Sequence, residues 1–506
     1  MSEGRTTNSL KNVIWNYINL VVGLLLGFIN RAIFIKAFGV GYLGISGLFA
    51  NIISILSLAD MGLSTAMAYS YYKPISNNDY DKIAALNNFY RKAYNIIAIV
   101  VTVVGISLIP FLKFIVKLDE PIENMNLYYV LTLAGTVSTY LVVHKSTLIN
   151  AYQKNYIVSK YNSIVKILVA VAQIIFMLLT KNYIVYLVIV VIGNLANNIR
   201  VSIAADKLFP FIKNKKSLCK DEQKDILKNV KSMFVYKLSA VFINSTDNIL
   251  ISLLVGTIWV GYYYNYSMII TQVISFITLT FTSLTASIGN LVVCESEEKR
   301  HELFKATQIA SFWFSTVIVA SIYAVINDFI VVWLGQECLL DSLTLFAIMF
   351  NLYLTCVLQP IWIYREATGI FTKTKYMMML TAVLNIALSI IGGIYLGLAG
   401  ILLASAVAKI LTYVWYEPIL LYKEYFKKGA KGYFLTTLLN LIITAFLTFG
   451  LLWLISIIHL TGWLGFFVKG IIAFILANVI YLIVYSRSKG FKMILTKIKT
   501  TLKKGK

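Results

Sequence analysis

Three histidines and four cysteines are all that this 506-residue chain offers to a metal site or a disulfide framework. His144, His301 and His459 lie far apart, and none has an acidic partner at HExxH spacing, so no metal site is expected. Cys219, Cys294, Cys338 and Cys356 form no CxxC pair and fall in separate segments, which gives no disulfide pattern. The phosphate loop GxxxxGK[ST] is absent, so direct ATP hydrolysis by this polypeptide is not expected. Acids are scarce as well: 22 Asp and Glu stand against 45 Lys and Arg, a formal charge of +23. In a soluble protein that excess would suggest nucleic acid, but neither a helix-turn-helix nor an aromatic-basic sheet pattern accompanies it.

What is abundant is apolar residue, 59% of the chain. Fourteen long apolar stretches cover residues 12–35, 43–72, 94–112, 126–144, 161–180, 182–199, 232–256, 260–290, 306–327, 342–364, 376–396, 398–422, 433–458 and 461–486. Each is close to the roughly 20 residues that a helix needs to cross about 30 Å of hydrocarbon. Outside them, Lys36, Lys113, Lys117 and Lys181 are the only cations in one set of alternate connections, and all the rest fall in the other set. Basic short loops remain cytoplasmic, which puts both termini inside a cytoplasmic membrane. Anionic inner-leaflet lipid accounts for the charge. The first stretch contains asparagines and an arginine and lacks a small-residue cleavage site, so it reads as a retained span.

The connections are short: the longest is about 30 residues, too little to build a core of its own. A separate catalytic domain is therefore not expected, nor a catalytic residue or cofactor. A glycan ligase or polymerase would place carboxylates or histidines on a sizeable outer loop, and only Asp119, Glu120 and Glu123 cluster there, beside Pro121.

Compared with itself, the chain repeats at an offset of 217. Leu10, Lys11, Asn12 and Val13 recur as Leu227, Lys228, Asn229 and Val230, and Gly39 and Gly44 as Gly256 and Gly261. The repeat is parallel, as in transporters built from two lobes about an axis normal to the membrane. The expected fold is an all-α integral membrane protein of about 14 transmembrane helices. It divides into an N-lobe at 1–206, a basic connector at 207–231, a C-lobe at 232–422, and two final helices with a basic tail at 423–506. These pseudo-symmetric six-helix lobes imply a cavity lined by the first helix of each.

Polar residues recur at helical spacing in both of these helices: Asn16, Asn19, Gly23, Gly27 and Asn30 in one, Lys237, Ala240, Asn244, Asp247 and Asn248 in the other. Small and amide residues also serve helix packing, but charge at mid-bilayer costs at least about 2.5 kcal/mol and faces a cavity or a partner. The bases inside stretches are Arg31, Lys166, Lys237, Lys409 and Lys469, and the deep acids are Asp60 and Asp247. Lys166, Lys237 and Lys469 can extend toward water, whereas Lys409 is too deep to do so. Arg31 suits bidentate phosphate recognition. Arg31, Lys409, Lys237, Asn30 and Asn244 are thus the candidate substrate-binding residues of a cationic cavity. Asp60 and Asp247 are candidates for ion coupling or for counter-charge. Tyr262, Tyr263, Tyr264 and Tyr266 read as an interfacial aromatic belt or as sugar-stacking rings.

Several strings carry a resemblance along nearly the whole chain: Asn30-Arg31 through Phe38-Gly39, Tyr42-Leu43-Gly44-Ile45, Gly47-Leu48-Phe49, and Ile55 through Gly62. Tyr72-Lys73-Pro74-Ile75, Tyr90-Arg91-Lys92-Ala93-Tyr94 and Arg365-Glu366-Ala367-Thr368-Gly369 continue it. They resemble the bacterial polysaccharide transporters of the multidrug/oligosaccharidyl-lipid/polysaccharide superfamily. The resemblance implies alternating access, a cationic cavity, and export of an undecaprenyl-pyrophosphate-linked oligosaccharide for surface polysaccharide. Partners would be that lipid-linked oligosaccharide, membrane lipids, and a polysaccharide polymerase or assembly protein. Lys73, Arg91 and Arg365 would then recruit pyrophosphate or serve orientation alone. The family commonly carries glutamate where this chain has Asp60, which leaves coupling there open. A drug or metabolite antiporter and a peptidoglycan-precursor flippase of the same superfamily stand as alternatives.

Overall fold

The computed structural model describes residues 2–57, 63–117, 122–227, 246–294, 296–368, 370–493 and 495–496, which form helices and short connections with no strand among them. Among the described residues, ten helices are long and apolar enough to cross a membrane. One of these segments, Lys373–Phe426, contains two spans, because Gly397 breaks it with φ 58° and ψ −135°. Thr381 meets Thr412 across this break, Asn385 meets Ser405 and Ser389 meets Ile401. Their residue numbers rise on one side as they fall on the other, the mark of an antiparallel pair. Gly392 and Gly400 let the two backbones touch, since a Cβ on either would strike the other's backbone. Together with Val40–Leu56 and Thr257–Cys294, these helices make the all-α membrane fold of about fourteen helices that the apolar stretches predict.

The chain forms two compact units, 1–264 and 265–506. In the first, α1 (Ser2–Phe38), α2 (Val40–Leu56), α3 (Leu63–Ser76), α4 (Tyr80–Ser107) and α5 (Ile109–Ile115) precede α6 (Met125–Ala151), α7 (Asn155–Thr180) and α8 (Tyr183–Leu208). The short α9 (Asp247–Leu254) and the start of α10 (Thr257–Cys294) complete it. Apolar residues at helical spacing build a core around Phe49, Tyr90, Tyr94 and Tyr129. His144 lies inside this unit at 3% exposure.

The 217-residue repeat is visible in contact as well as in sequence. A Cβ on Gly44 would fall on the Thr257 carbonyl and 3.3 Å from the Gly261 nitrogen. A Cβ on Gly261 would meet the Val40 carbonyl and lie 3.1 Å from the Gly44 nitrogen. Val40 and Thr257 are themselves repeat mates, so α2 and α10 cross through equivalent glycines with two-fold reciprocity.

In the second unit, α11 (Glu297–Trp313) continues through a π-helical turn, Phe314–Ile318, into α12 (Val319–Leu334). Next come α13 (Ser342–Thr368), the hairpin α14 (Phe371–Leu411), α15 (Tyr413–Leu421), α16 (Lys431–Ile457) and α17 (Gly462–Tyr485). The fully buried Asn440 of α16 joins four elements here. It accepts from Ser315 Oγ (2.9 Å) and Tyr353 OH (3.1 Å) and donates to Thr316 Oγ1 (2.8 Å) and Tyr485 OH (3.0 Å). Trp313 Nε1 donates to Asn478, and Tyr481 OH to the Ile309 carbonyl, which anchors α17. The two final helices are thus tied into the unit by polar groups that hydrocarbon would leave unsatisfied. Asn440→Leu strands four partners, each costing about 1–3 kcal/mol if it finds no substitute. The expected result is a clear drop in the thermal unfolding midpoint of detergent-solubilised protein, read against wild type.

At one end of this unit His301 is boxed by Tyr422 and Phe426, whose ring centres lie 5.5 and 5.3 Å away. Burial, reinforced by Lys305 and Lys428, pushes its imidazole down to about 4, so it is neutral at physiological pH.

Candidate functional site

The first helix places its amides against α7. Asn12 Nδ2 donates to the Gln153 carbonyl at 2.9 Å, Lys166 Nζ donates to Asn19 Oδ1 at 3.0 Å, and Asn30 Nδ2 donates to Gln173 Oε1 at 2.7 Å. The paired residue numbers rise together, so α1 and α7 run parallel and are joined by a ladder of polar contacts. Gly23 lies opposite the same lysine, 3.9 Å from where its Cβ would be to Nζ. At Asn19, Gly23 and Asn30 the polar stripe of α1 is therefore a helix-packing seam within the first unit. Lys166 is exposed on the surface of the unit.

Arg31, one residue beyond Asn30, lies off that seam. Its guanidinium sits over the Tyr264 ring, 4.5 Å from the centre, a cation–π placement within the usual range. Tyr264 is thus not a belt residue, and neither is the fully buried Tyr266. Tyr266 OH donates to Asn327 Oδ1 at 2.9 Å and accepts from the Leu340 nitrogen at 3.3 Å. The belt reading of this tyrosine run fails at both positions, because each ring turns inward to a partner.

In the second unit, Lys409 Nζ donates to Asn351 Oδ1 at 2.9 Å, and Asn351 is itself fixed through Nδ2 to the carbonyls of Ala347 and Leu402. The ammonium is half-buried and held by a positioned amide. Asp247 opens α9 as a half-buried residue. Lys237, Asn244 and Asp60 lie outside the described residues.

Two acids paired with bases change the charge account. Glu417, within the twelfth apolar stretch, is 2% exposed and accepts from Arg365 Nη1 at 2.6 Å. Asp328 accepts from Lys469 Nζ at 2.8 Å. Asp60 and Asp247 are therefore not the only acids within the apolar stretches, and Lys469 pairs with a carboxylate that is about one-third exposed. Arg365, read as a loop residue for pyrophosphate recruitment, is 6% exposed and engaged in this pair. Lys73 and Arg91 are exposed. The sequence signal was available for Glu417, a single acid beside Pro418 in an otherwise apolar run.

Solved structures place this arrangement among known folds. A lipid II flippase MurJ structure, in an inward closed conformation, matches with a TM-score of 0.70 at 16% identity, over 94% of this chain and 99% of that one. The chain has the fold of the MOP-superfamily transporters. An inward-facing multidrug resistance MATE family transporter of that superfamily matches at 0.59 and 15% identity, over 80% of this chain and 97% of its own. An outward-facing one gives 0.52 and 17%, over 81% and 95%. No protein-family profile and no curated protein sequence matches the chain. In this MOP fold the helices that carry Arg31 and Lys409 are integral parts of their units, so both cations are fixed by the scaffold and not by loops.

Proposed function

We propose that the protein is a flippase that carries a polyprenyl-pyrophosphate-linked oligosaccharide repeat unit across the bacterial cytoplasmic membrane by alternating access, for surface polysaccharide. The observation that carries this reading is the placement of Arg31 and Lys409 on membrane helices, the one against the Tyr264 ring and the other on the Asn351 amide. A ring face and an amide oxygen orient a cation, and a guanidinium or ammonium so oriented suits an anionic headgroup. The near-complete match to a flippase of a lipid-linked substrate supports the same class, whereas the drug-transporter match leaves a fifth of this chain uncovered.

In this reading the polyprenyl tail stays in lipid while the protein shields pyrophosphate and sugars. Lys237 and Asn244 belong to the proposed binding residues, and Asp247 and Asp60 to the proposed ion-coupling or counter-charge residues. Both termini face the cytoplasm, and a polysaccharide polymerase or assembly protein is the proposed neighbour. The peptidoglycan-precursor flippase is kept as a second reading, since the 0.70 match is to a lipid II flippase and the polyanionic ligand is alike.

The test is leaflet transfer of fluorescent polyprenyl-pyrophosphate oligosaccharides and of lipid II in proteoliposomes at equal folded protein. Arg31→Ala and Lys409→Ala are each expected to slow transfer by about tenfold or more, since a charge-assisted hydrogen bond contributes about 1.5–3 kcal/mol. Unchanged transfer in both variants removes the two cations from the mechanism. Transfer of lipid II alone selects the second reading, and no transfer of either lipid overturns the flippase class.

A further inference from the structure

Away from these cations, the first unit carries a cleft of about 330 Å3 where the end of α1, the start of α2, the start of α6 and the α7–α8 turn converge. Its walls are aromatic and its rim is polar: Tyr42, Tyr128 and Tyr183 below, Asn124, Lys181 and Asn182 above. The size lies at the small end of the about 300–1,000 Å3 range of small-molecule sites.

The walls are rigid. Tyr183 stands at their centre, with Tyr42 and Tyr128 packed edge-on at 5.1 and 4.8 Å, Phe38 edge-on at 5.4 Å, and Tyr186 stacked behind it at 5.7 Å. Edge-on packing at these distances is a favoured geometry of aromatic pairs, so the rings hold one another in place. Tyr128 and Tyr183 are nearly fully buried as residues, which distinguishes the cluster from rings facing lipid.

The rim is equally determined. Asn124 and Lys181 both adopt left-handed backbone conformations, with φ 59° and 48°, which turn the chain sharply at the mouth. Asn182 uses Oδ1 to cap the Ile184 nitrogen at 2.8 Å, so its amide nitrogen remains as the donor. Lys181 and Asn182 are exposed at the opening.

We infer that this cleft is a saccharide-binding site. Amide groups both donate and accept, as sugar hydroxyls do, and the half-buried Tyr42, backed by Tyr128 and Tyr183, offers its ring to the apolar face of a pyranose. Among the described residues no carboxylate lines the cleft, which disfavours a metal or a cationic drug, and Lys181 adds a preference for acidic sugars. An acyl chain would require an apolar trough, and here the mouth is ringed by amides and an ammonium. The cleft lies at the end of the helices opposite Lys73, Arg91 and Lys145, the pole where sugars emerge after transfer. This last step rests on the flippase reading.

The test uses the full chain in lipid nanodiscs with two free probes, glucuronic acid and N-acetylglucosamine, and reads saturation-transfer NMR signals on the sugar protons. Both probes are expected to receive saturation from the protein. Tyr42→Ala and Asn182→Ala are each expected to weaken binding about fivefold, as loss of one ring contact or one hydrogen bond should. Lys181→Ala, an exposed change that leaves the walls intact, is expected to weaken glucuronic acid more than N-acetylglucosamine. No saturation of either sugar, or signals unaltered by all three substitutions, overturns the site. Because the probes need no transport, sugar binding without leaflet transfer would overturn the flippase reading alone, and transfer without sugar binding would overturn the site alone.

Discussion

Glu417→Ala is expected to lower the stability of the protein by about 3–5 kcal/mol, because it leaves a buried arginine without its carboxylate. The pair Arg365–Glu417 is drawn from α13 and α15, 52 positions apart, and is almost wholly screened from solvent, with side chains 8% and 1% exposed. Removing one member abolishes the attraction while the desolvation cost of the other remains. Replacing both removes that cost as well, so the double variant Arg365→Met, Glu417→Leu is expected to unfold within about 1 kcal/mol of wild type or above it. Glu417→Gln, which retains shape and one acceptor, should fall between. Thermal unfolding of the four proteins in one detergent checks the order. A single variant as stable as wild type would show that the pair contributes little. A stable double variant that fails in leaflet transfer would move the pair from structure to mechanism.

That pair also shows what a sequence can and cannot disclose. The helices were legible because apolar length and alternating loop charge are local properties, and the turn at Gly397 fell in the gap between two apolar stretches. That Arg31 and Lys409 fall inside helices was legible by counting residues from each end of a span. Their partners were not, since Tyr264 and Asn351 lie 233 and 58 positions away and nothing in spacing links them. The stripe of α1 was read correctly as periodic and polar, but periodicity alone does not say whether amides face a ligand or another helix. Gln173 and Lys166 on α7 decide that for Asn30 and Asn19. Glu417 was overlooked for a simpler reason: an acid beside a proline looks solvated until its cation is found.

The glycine crossing between α2 and α10 leads to the second large effect. Gly44→Ala and Gly261→Ala each place a methyl group on a backbone carbonyl that no rotamer change can move aside, so the helices must separate. Such overpacking costs about 1–3 kcal/mol. The population with the crossing closed should therefore fall about 5–150-fold. Spin labels on cysteines at Lys36 and Leu254, at the neighbouring helix ends, report it as loss of the short-distance component in a chain cleared of native cysteines. Gly470→Ala, where an added Cβ meets nothing within 4 Å, is the control and should leave the distribution unchanged. The reciprocity of the contact adds a stricter demand. Gly44 meets the Thr257 carbonyl as Gly261 meets that of Val40, and the members of each pair are 217 positions apart, so the two variants should open the crossing to a similar degree. Opening by one and not the other would mean that the duplication persists in sequence but no longer governs the contact. Equal opening would mean that the same glycine has been kept in both copies for one physical reason, the approach of two backbones that a single methyl group prevents.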